Sequence, residues 1–396
     1  MNHIEPTTAE PPRSGPAVSD PAPPPSPTSP PKPRSSRALN AVWWTLRLLV
    51  ALFLLIGALQ LMRLGAASLD VLRTGGFLVR NPGSTLGLGW LGALLVLSGS
   101  PIAATSLTLV AAGEQVAEGA QRFTEMQGFA MLTGSRLGAA FVVLLTAVVY
   151  ALRGKDGERM APLSTAVMAL CTTALVYIPS APIGGLLLEW EPFAALELRF
   201  PGQFADLINL LYGPLLERIE DWPSAVVFLG GLGVLLASFK AIDSVLPQLG
   251  DGRIEGSRAA WLKQKWPMFG LGCLVALVTM SVSVALTVLV PLVARGYAKR
   301  EDILPYIMGA NITTLGDTMF AAFALNSPGA VRIVLAQVIA TSVLSIFLLT
   351  FFYPQVRRAI WRFQRQMVKS RPRLAAFTVA LFVTPLAIIA VSGLAG

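Results

Sequence analysis

Charge and reactive side chains are scarce in this chain. Of its 396 residues only 13% are charged, against roughly a quarter in an ordinary soluble domain. That scarcity, with 54% hydrophobic residues, excludes a water-soluble globular class and points to an integral membrane protein. The chain has one histidine, His3, which excludes a histidine-based metal site or a Ser/His catalytic pair. The two cysteines, Cys171 and Cys273, lie in apolar runs and read as small buried hydrophobes. Neither a Walker-type phosphate loop nor a dinucleotide fingerprint is present, which argues against ATP-driven transport and redox enzymology. No enzyme activity and no cofactor are expected. An apolar signal region is also missing from the start, so no cleaved signal peptide is expected.

Long apolar runs are what the chain has instead. They fall near 42–62, 86–112, 129–152, 161–188, 223–247, 268–294, 303–325, 330–353 and 374–394, each near the roughly 20 residues a spanning helix needs. Their continuity predicts helices, since a β-barrel would show alternating ten-residue segments. The expected fold is an all-α polytopic membrane protein.

The net charge of +9 is unevenly placed. Arg357, Arg358, Arg362, Arg365, Lys369, Arg371 and Arg373 crowd a stretch without acids, whereas Glu189, Glu191, Glu197, Asp206, Glu217, Glu220 and Asp221 crowd another. The positive-inside rule puts the basic loops in the cytoplasm and the acidic loop outside. Basic residues beside membrane spans point to topology and anionic lipid rather than to nucleic acid.

This gives a five-part organisation. Residues 1–38 form a disordered, Pro-rich cytoplasmic tail, because such a composition cannot bury a core. Residues 42–188 form a first membrane repeat, 189–222 an acidic extracytoplasmic loop, and 223–353 a second repeat. Residues 354–396 form a basic cytoplasmic loop and a final transmembrane helix. The repeat shows in 52–72 and 228–246, each with a mid-helix base (Arg63, Lys240) followed by an aspartate (Asp70, Asp243). One copy starts from the cytoplasm and the other from outside, so two inverted-topology repeats with re-entrant helical hairpins are expected, as in secondary transporters.

Each copy carries two clusters of small and hydroxylated residues at membrane depth. The second has Ser281-Val282-Ser283 with Thr287, then Gly309-Ala310-Asn311-Ile312-Thr313-Thr314. The first has Ser98-Gly99-Ser100 with Thr105, then Gly134-Ser135-Arg136-Leu137-Gly138. Hydroxyls and freed carbonyls suit a hard cation such as Na+, and helix N-termini suit an oxyanion. Close helix packing also uses such residues. Arg136 stands where Asn311 stands in the other copy, and reads as an anion ligand, a fixed substitute for a coupling cation, or a snorkelling base. Asp317, three residues past Thr314, either binds a coupling cation or pairs with a base such as Arg136.

At these residues the chain resembles the sodium-dependent phosphate cotransporter family (type II Na/Pi cotransporters and their bacterial relatives). That family carries Gln-Ser-Ser-Ser and Gly-Ala-Asn-Ile-Gly-Thr motifs in each of two inverted repeats. The resemblance covers roughly 45–188 and 223–396, and is strongest at Met280–Ser283, Pro305–Ile312 and Tyr353-Pro354. The family's glutamine is replaced by Leu97 and Met280, and its middle serine by Gly99 and Val282. The resemblance implies Na+-coupled symport of inorganic phosphate or a similar oxyanion by a multi-pass protein of the inner or plasma membrane, with an N-terminus in the cytoplasm. It implies Na+ at Ser281, Ser283, Thr313 and Thr314, substrate between the two copies, and a possible homodimer. Another anion, H+ coupling through Asp317, or a non-transporting sensor or scaffold remain the alternatives.

Overall fold

A computed structural model describes residues 34–67, 76–116, 122–153, 160–198, 202–245, 264–287, 289, 293 and 300–394. Among them no strand occurs, and six helices are long and apolar enough to cross a membrane. By packing the chain divides into Met1–Trp43 and Trp44–Gly396. The helical core belongs to the second of these.

The first helix, α1, runs Arg34–Ala67. Its opening turn takes in residues 34–38, which the tail composition had assigned to disorder. Arg37, Ala38 and Leu39 are good helix formers, and they continue the apolar span that follows. Residues 1–33 and Asp70 lie outside the described residues, as does the side chain of Asp243.

Four of the nine apolar runs are divided between two helices, and of these only 129–152 is still long and apolar enough to cross a membrane. Run 86–112 is two helices, α2 (Pro82–Val96) and α3 (Ser100–Gly113), separated at Leu97, which takes a left-handed φ of 57°. An Asn81/Ser84 capping box starts α2 and Pro82 occupies its first turn, so its beginning is fixed locally. At about 1.5 Å per residue, its 15 residues reach about 22 Å, short of a hydrocarbon core of about 30 Å. The 129–152 run becomes α4 (Glu125–Ala139), opened by a Thr124/Gln127 capping box, and α5 (Phe141–Arg153). Helix α6 (Met160–Glu189) is unbroken despite Pro179 and Pro182.

The acidic 189–222 segment, expected as a loop, is largely helical: α7 (Glu191–Ala194) and then α8 (Gly202–Ile219). Its leucines and Tyr212 recur at helical spacing, and the Tyr212 hydroxyl donates to the Phe53 carbonyl of α1 at 2.7 Å.

The second half follows a similar course. Helix α9 (Ser224–Val245) is long and apolar enough to cross a membrane. Run 268–294 begins with α10 (Lys265–Thr279), breaks at Met280 with a left-handed φ of 44°, and resumes in α11 (Val282–Thr287). Run 303–325 splits into α12 (Leu304–Thr313) and α13 (Gly316–Ala324). The long helix α14 (Pro328–Phe347) passes through a π-helical turn, Leu348–Phe352, into α15 (Tyr353–Val368), and α16 (Arg371–Leu394) closes the chain.

Helices α2 and α4 pack closely, and so do α10 and α12. Small residues permit this. A Cβ on Gly134 would lie 2.0 Å from the Leu86 carbonyl oxygen, and one on Gly309 would lie 2.2 Å from that of Phe269. Facing them, Gly89 has the same relation to Met131 O at 2.1 Å, and Gly272 to Tyr306 O at 2.0 Å. Two apolar cores result, one around Leu59, Met62, Leu107, Leu132 and Ile333, the other around Met168, Tyr177, Met268, Leu286 and Ile307. Leu132 of α4 belongs to the first and Leu137 to the second, and the buried Arg136 lies between these two leucines in the chain.

Candidate functional site

Arg136 is among the largest fully buried side chains in the molecule, with 1% exposure. Burying a guanidinium costs several kcal/mol, on the order of the effective penalty for any ion removed from water, unless it is paired. Its partner is Asp317 at the start of α13, 8% exposed, with Nη2 3.6 Å from Oδ1. Nη2 also donates to Thr318 Oγ1, and Thr318 in turn donates its hydroxyl (2.9 Å) and backbone N–H (2.6 Å) to Asp317 Oδ1. The carboxylate is thus held from one side.

Asn311, the residue matching Arg136, is fully buried on α12. Its amide donates to Thr173 Oγ1 of α6 at 3.2 Å. Its carbonyl oxygen lies at the end of α12, where the helical ladder is interrupted, and accepts the Tyr177 hydroxyl at 2.6 Å. Tyr177 therefore satisfies a backbone group that the helix break sets free.

The unused capacity around this cluster is considerable. Arg136 Nε and Nη1, Asn311 Oδ1 and Asp317 Oδ2 are all buried and have no hydrogen-bond partner among the described residues. Buried polar atoms are nearly always satisfied, and an orphan costs about 1–3 kcal/mol, more when charged. The unused nitrogens of the guanidinium, next to a carboxylate with one unused oxygen, form a set that an oxyanion and a small cation could jointly complete.

The remaining predicted residues divide by what the structure does with them. The first Ser-x-Ser cluster lies against Ser135, since a Cβ on Gly99 would approach the Ser135 carbonyl oxygen at 3.0 Å. Ser98 and Ser100 are half-buried. Thr105 and Ser135 are buried and donate to Pro101 O (2.8 Å) and Leu132 O (2.7 Å) of their own helices. Thr313 donates to Cys273 O at 2.8 Å, and Thr314 approaches Asn311 O at 3.4 Å. A hydroxyl that spends its proton on a carbonyl still presents oxygen lone pairs, so these groups remain possible cation ligands. Ser281 is buried, with Oγ accepting from Val284 N–H at 3.4 Å. The side chains of Ser283 and Thr287 lie outside the described residues.

Four contributors escaped the sequence reading: Tyr177, Thr173, Thr318 and Gln337. Buried Gln337 of α14 accepts from Thr133 Oγ1 at 2.6 Å and donates to Ser180 Oγ at 3.3 Å, forming a second polar layer across α4, α6 and α14. A lone amide in an otherwise apolar helix was the available signal. The mid-helix bases of the suspected repeat have different fates: Arg63 donates to Leu325 O at 3.0 Å, whereas Lys240 is exposed.

At one end of the bundle, a cavity of about 510 Å³ is lined by Glu114, Arg122, Glu125, Glu189 and Arg332. Arg332 pairs with Glu125 and also donates to Leu196 O at 3.2 Å, while Glu114 accepts the Gly329 N–H at 2.8 Å. These contacts tie α14 to the ends of α3 and α4.

No known family's sequence model, no curated protein and no solved structure matches this chain.

Proposed function

We propose that the chain is a secondary active transporter that moves inorganic phosphate or a similar oxyanion together with Na+ across a cell membrane. The observation that carries this reading is the buried Arg136, whose Nε and Nη1 donors are unused, paired with Asp317, whose Oδ2 is likewise unused. An arginine fork suits the geometry of a tetrahedral oxyanion. Ser98, Ser100, Thr105, Ser135 and Arg136 supply one half of the site. Ser281, Ser283, Thr287, Asn311, Thr313 and Thr314 supply the other.

Inverted repeats and re-entrant hairpins fit the same reading. The left-handed breaks at Leu97 and Met280 precede matching Ser-x-Ser clusters, and matching glycines set the approach of α2 to α4 and of α10 to α12. Helices as short as α2 and α10 suit hairpins that turn back inside the bilayer. Substrate held between the repeats is released to alternate sides as one rocks against the other. Uptake of labelled phosphate into proteoliposomes, with and without a Na+ gradient, tests the proposal. Uptake that rises with the gradient is expected, and no uptake under any cation gradient would refute it.

A second reading has a specific observation in its favour. In the Arg136–Asp317 pair the guanidinium would serve as a fixed substitute for a coupling cation, and Asp317 Oδ2 has no hydrogen-bond partner among the described residues. Under that reading coupling is to H+, and Asp317→Asn abolishes the pH dependence of flux. PH-dependent flux surviving in that variant would eliminate it. A non-transporting scaffold would show no phosphate-dependent thermal stabilisation.

A further inference from the structure

A second polar site lies away from the buried cluster, where α15 crosses the start of α6. Helix α15 is strongly amphipathic. Ile360, Gln364 and Val368 form its buried face, while Arg358, Arg362, Arg365 and Lys369 stay exposed. The buried face is anchored by Gln364 Oε1, which accepts from Ser164 Oγ of α6 at 2.6 Å.

Beside that anchor is a cavity of about 730 Å³ lined by Arg300, Arg362, Arg365 and Lys369 together with Trp361. Among the described residues no carboxylate lines it. Asp302, close to Arg300 in the chain, is 3.6 Å from Arg357 instead. Arg365 stacks over the Trp361 ring at 4.2 Å, which holds its guanidinium at the cavity rather than free in solution. Four cations around one hollow repel one another unless an anion joins them, and arginine forks favour phosphate.

The position of the cavity narrows the source of that anion. Helix α15 continues directly from the apolar α14 and is followed by the apolar α16, and Lys369 comes two residues before Arg371, the first residue of α16. The exposed ring of Phe363 is 6.0 Å from Phe377 of that helix, so apolar surface adjoins the basic rim. A cationic pocket at the end of membrane spans, with apolar surface beside it, has the chemistry of a lipid headgroup site. The volume is ample for a phosphate and its glycerol backbone.

We infer that this cavity binds the phosphate group of an anionic membrane lipid. The full chain is placed in phosphatidylcholine nanodiscs with or without phosphatidic acid, and its thermal midpoint is measured. Phosphatidic acid is expected to raise the midpoint. The double variant Arg362→Gln/Lys369→Gln, both exposed positions, is expected to need about 25 times more phosphatidic acid for the same rise, at about fivefold in affinity per cation. The control Arg371→Gln/Arg373→Gln, which changes bases outside the cavity, is expected to keep most of the response. Equal losses in the two variants would show a diffuse basic surface and overturn the proposal. So would an unresponsive wild type, or a response to soluble glycerol 3-phosphate in neutral discs that equals the lipid response.

Discussion

The α2–α4 region and the α10–α12 region share several local backbone features but carry different chemistry. In each, a short apolar helix ends at a left-handed residue, Leu97 or Met280, just before a Ser-x-Ser cluster. In each, a glycine of the later helix, Gly134 or Gly309, sits against a carbonyl of the first. The residue two positions further on is Arg136 in one and Asn311 in the other, and both are fully buried. The difference shows that the close helix approach is set by glycine, while the facing position is free to hold a charge or an amide. One further substitution follows the same pattern: Thr313 donates its hydroxyl to Cys273 O, whereas its counterpart Gly138 leaves Trp90 O facing bare backbone.

The comparison breaks most severely at the charged half. Asp317→Ala strands Arg136 as an unpaired buried charge and is expected to cost about 3–5 kcal/mol in detergent unfolding. The double variant Arg136→Met/Asp317→Leu should lose much less, because no charge is left behind. Equal losses would mean that the pair is not coupled. Next in size, Gly134→Ala and Gly309→Ala each force a Cβ against a carbonyl, at an expected cost of about 1–3 kcal/mol. The two losses should be similar, and a loss in only one would break the equivalence of the regions.

Gln337→Leu removes the amide between Thr133 and Ser180. A loss of about 1 kcal/mol is expected, because Thr133 can still donate to Phe129 O at 2.9 Å. Smallest of all, Leu97→Gly and Met280→Gly relieve left-handed backbone and should each raise stability by no more than about 1 kcal/mol. Opposite signs at the two positions would show that the breaks are strained differently.

Much of this arrangement was legible in the sequence. Six of the apolar runs correspond to helices long enough to span, and Ser98–Ser100 and Ser281–Ser283 mark where two others are interrupted. The meeting of Arg136 with Asp317 was one of two roles the spacing allowed for that acid. Tyr177 was not legible, because its partner, Asn311 O, is far away in sequence. Thr173 and Thr318 were not legible either, because a threonine hydroxyl in an apolar helix usually bonds its own backbone. Thr165, about two turns before Thr173, and its neighbour Thr172 do that, at 3.0 and 2.7 Å. The helicity of 202–219 was obscured by its acids and by Gly213-Pro214. The basic cavity was hidden for another reason: Arg300 and Arg362 are far apart in sequence, and only packing brings them together.

The most direct measurement of the buried site is equilibrium binding of labelled phosphate to the detergent-solubilised chain, compared between wild type and Arg136→Gln. Removing the guanidinium deletes charge-assisted hydrogen bonds worth about 1.5–3 kcal/mol, so affinity should fall at least about tenfold. Unchanged affinity in Arg136→Gln, or no phosphate binding by the wild type, would contradict an oxyanion site at Arg136.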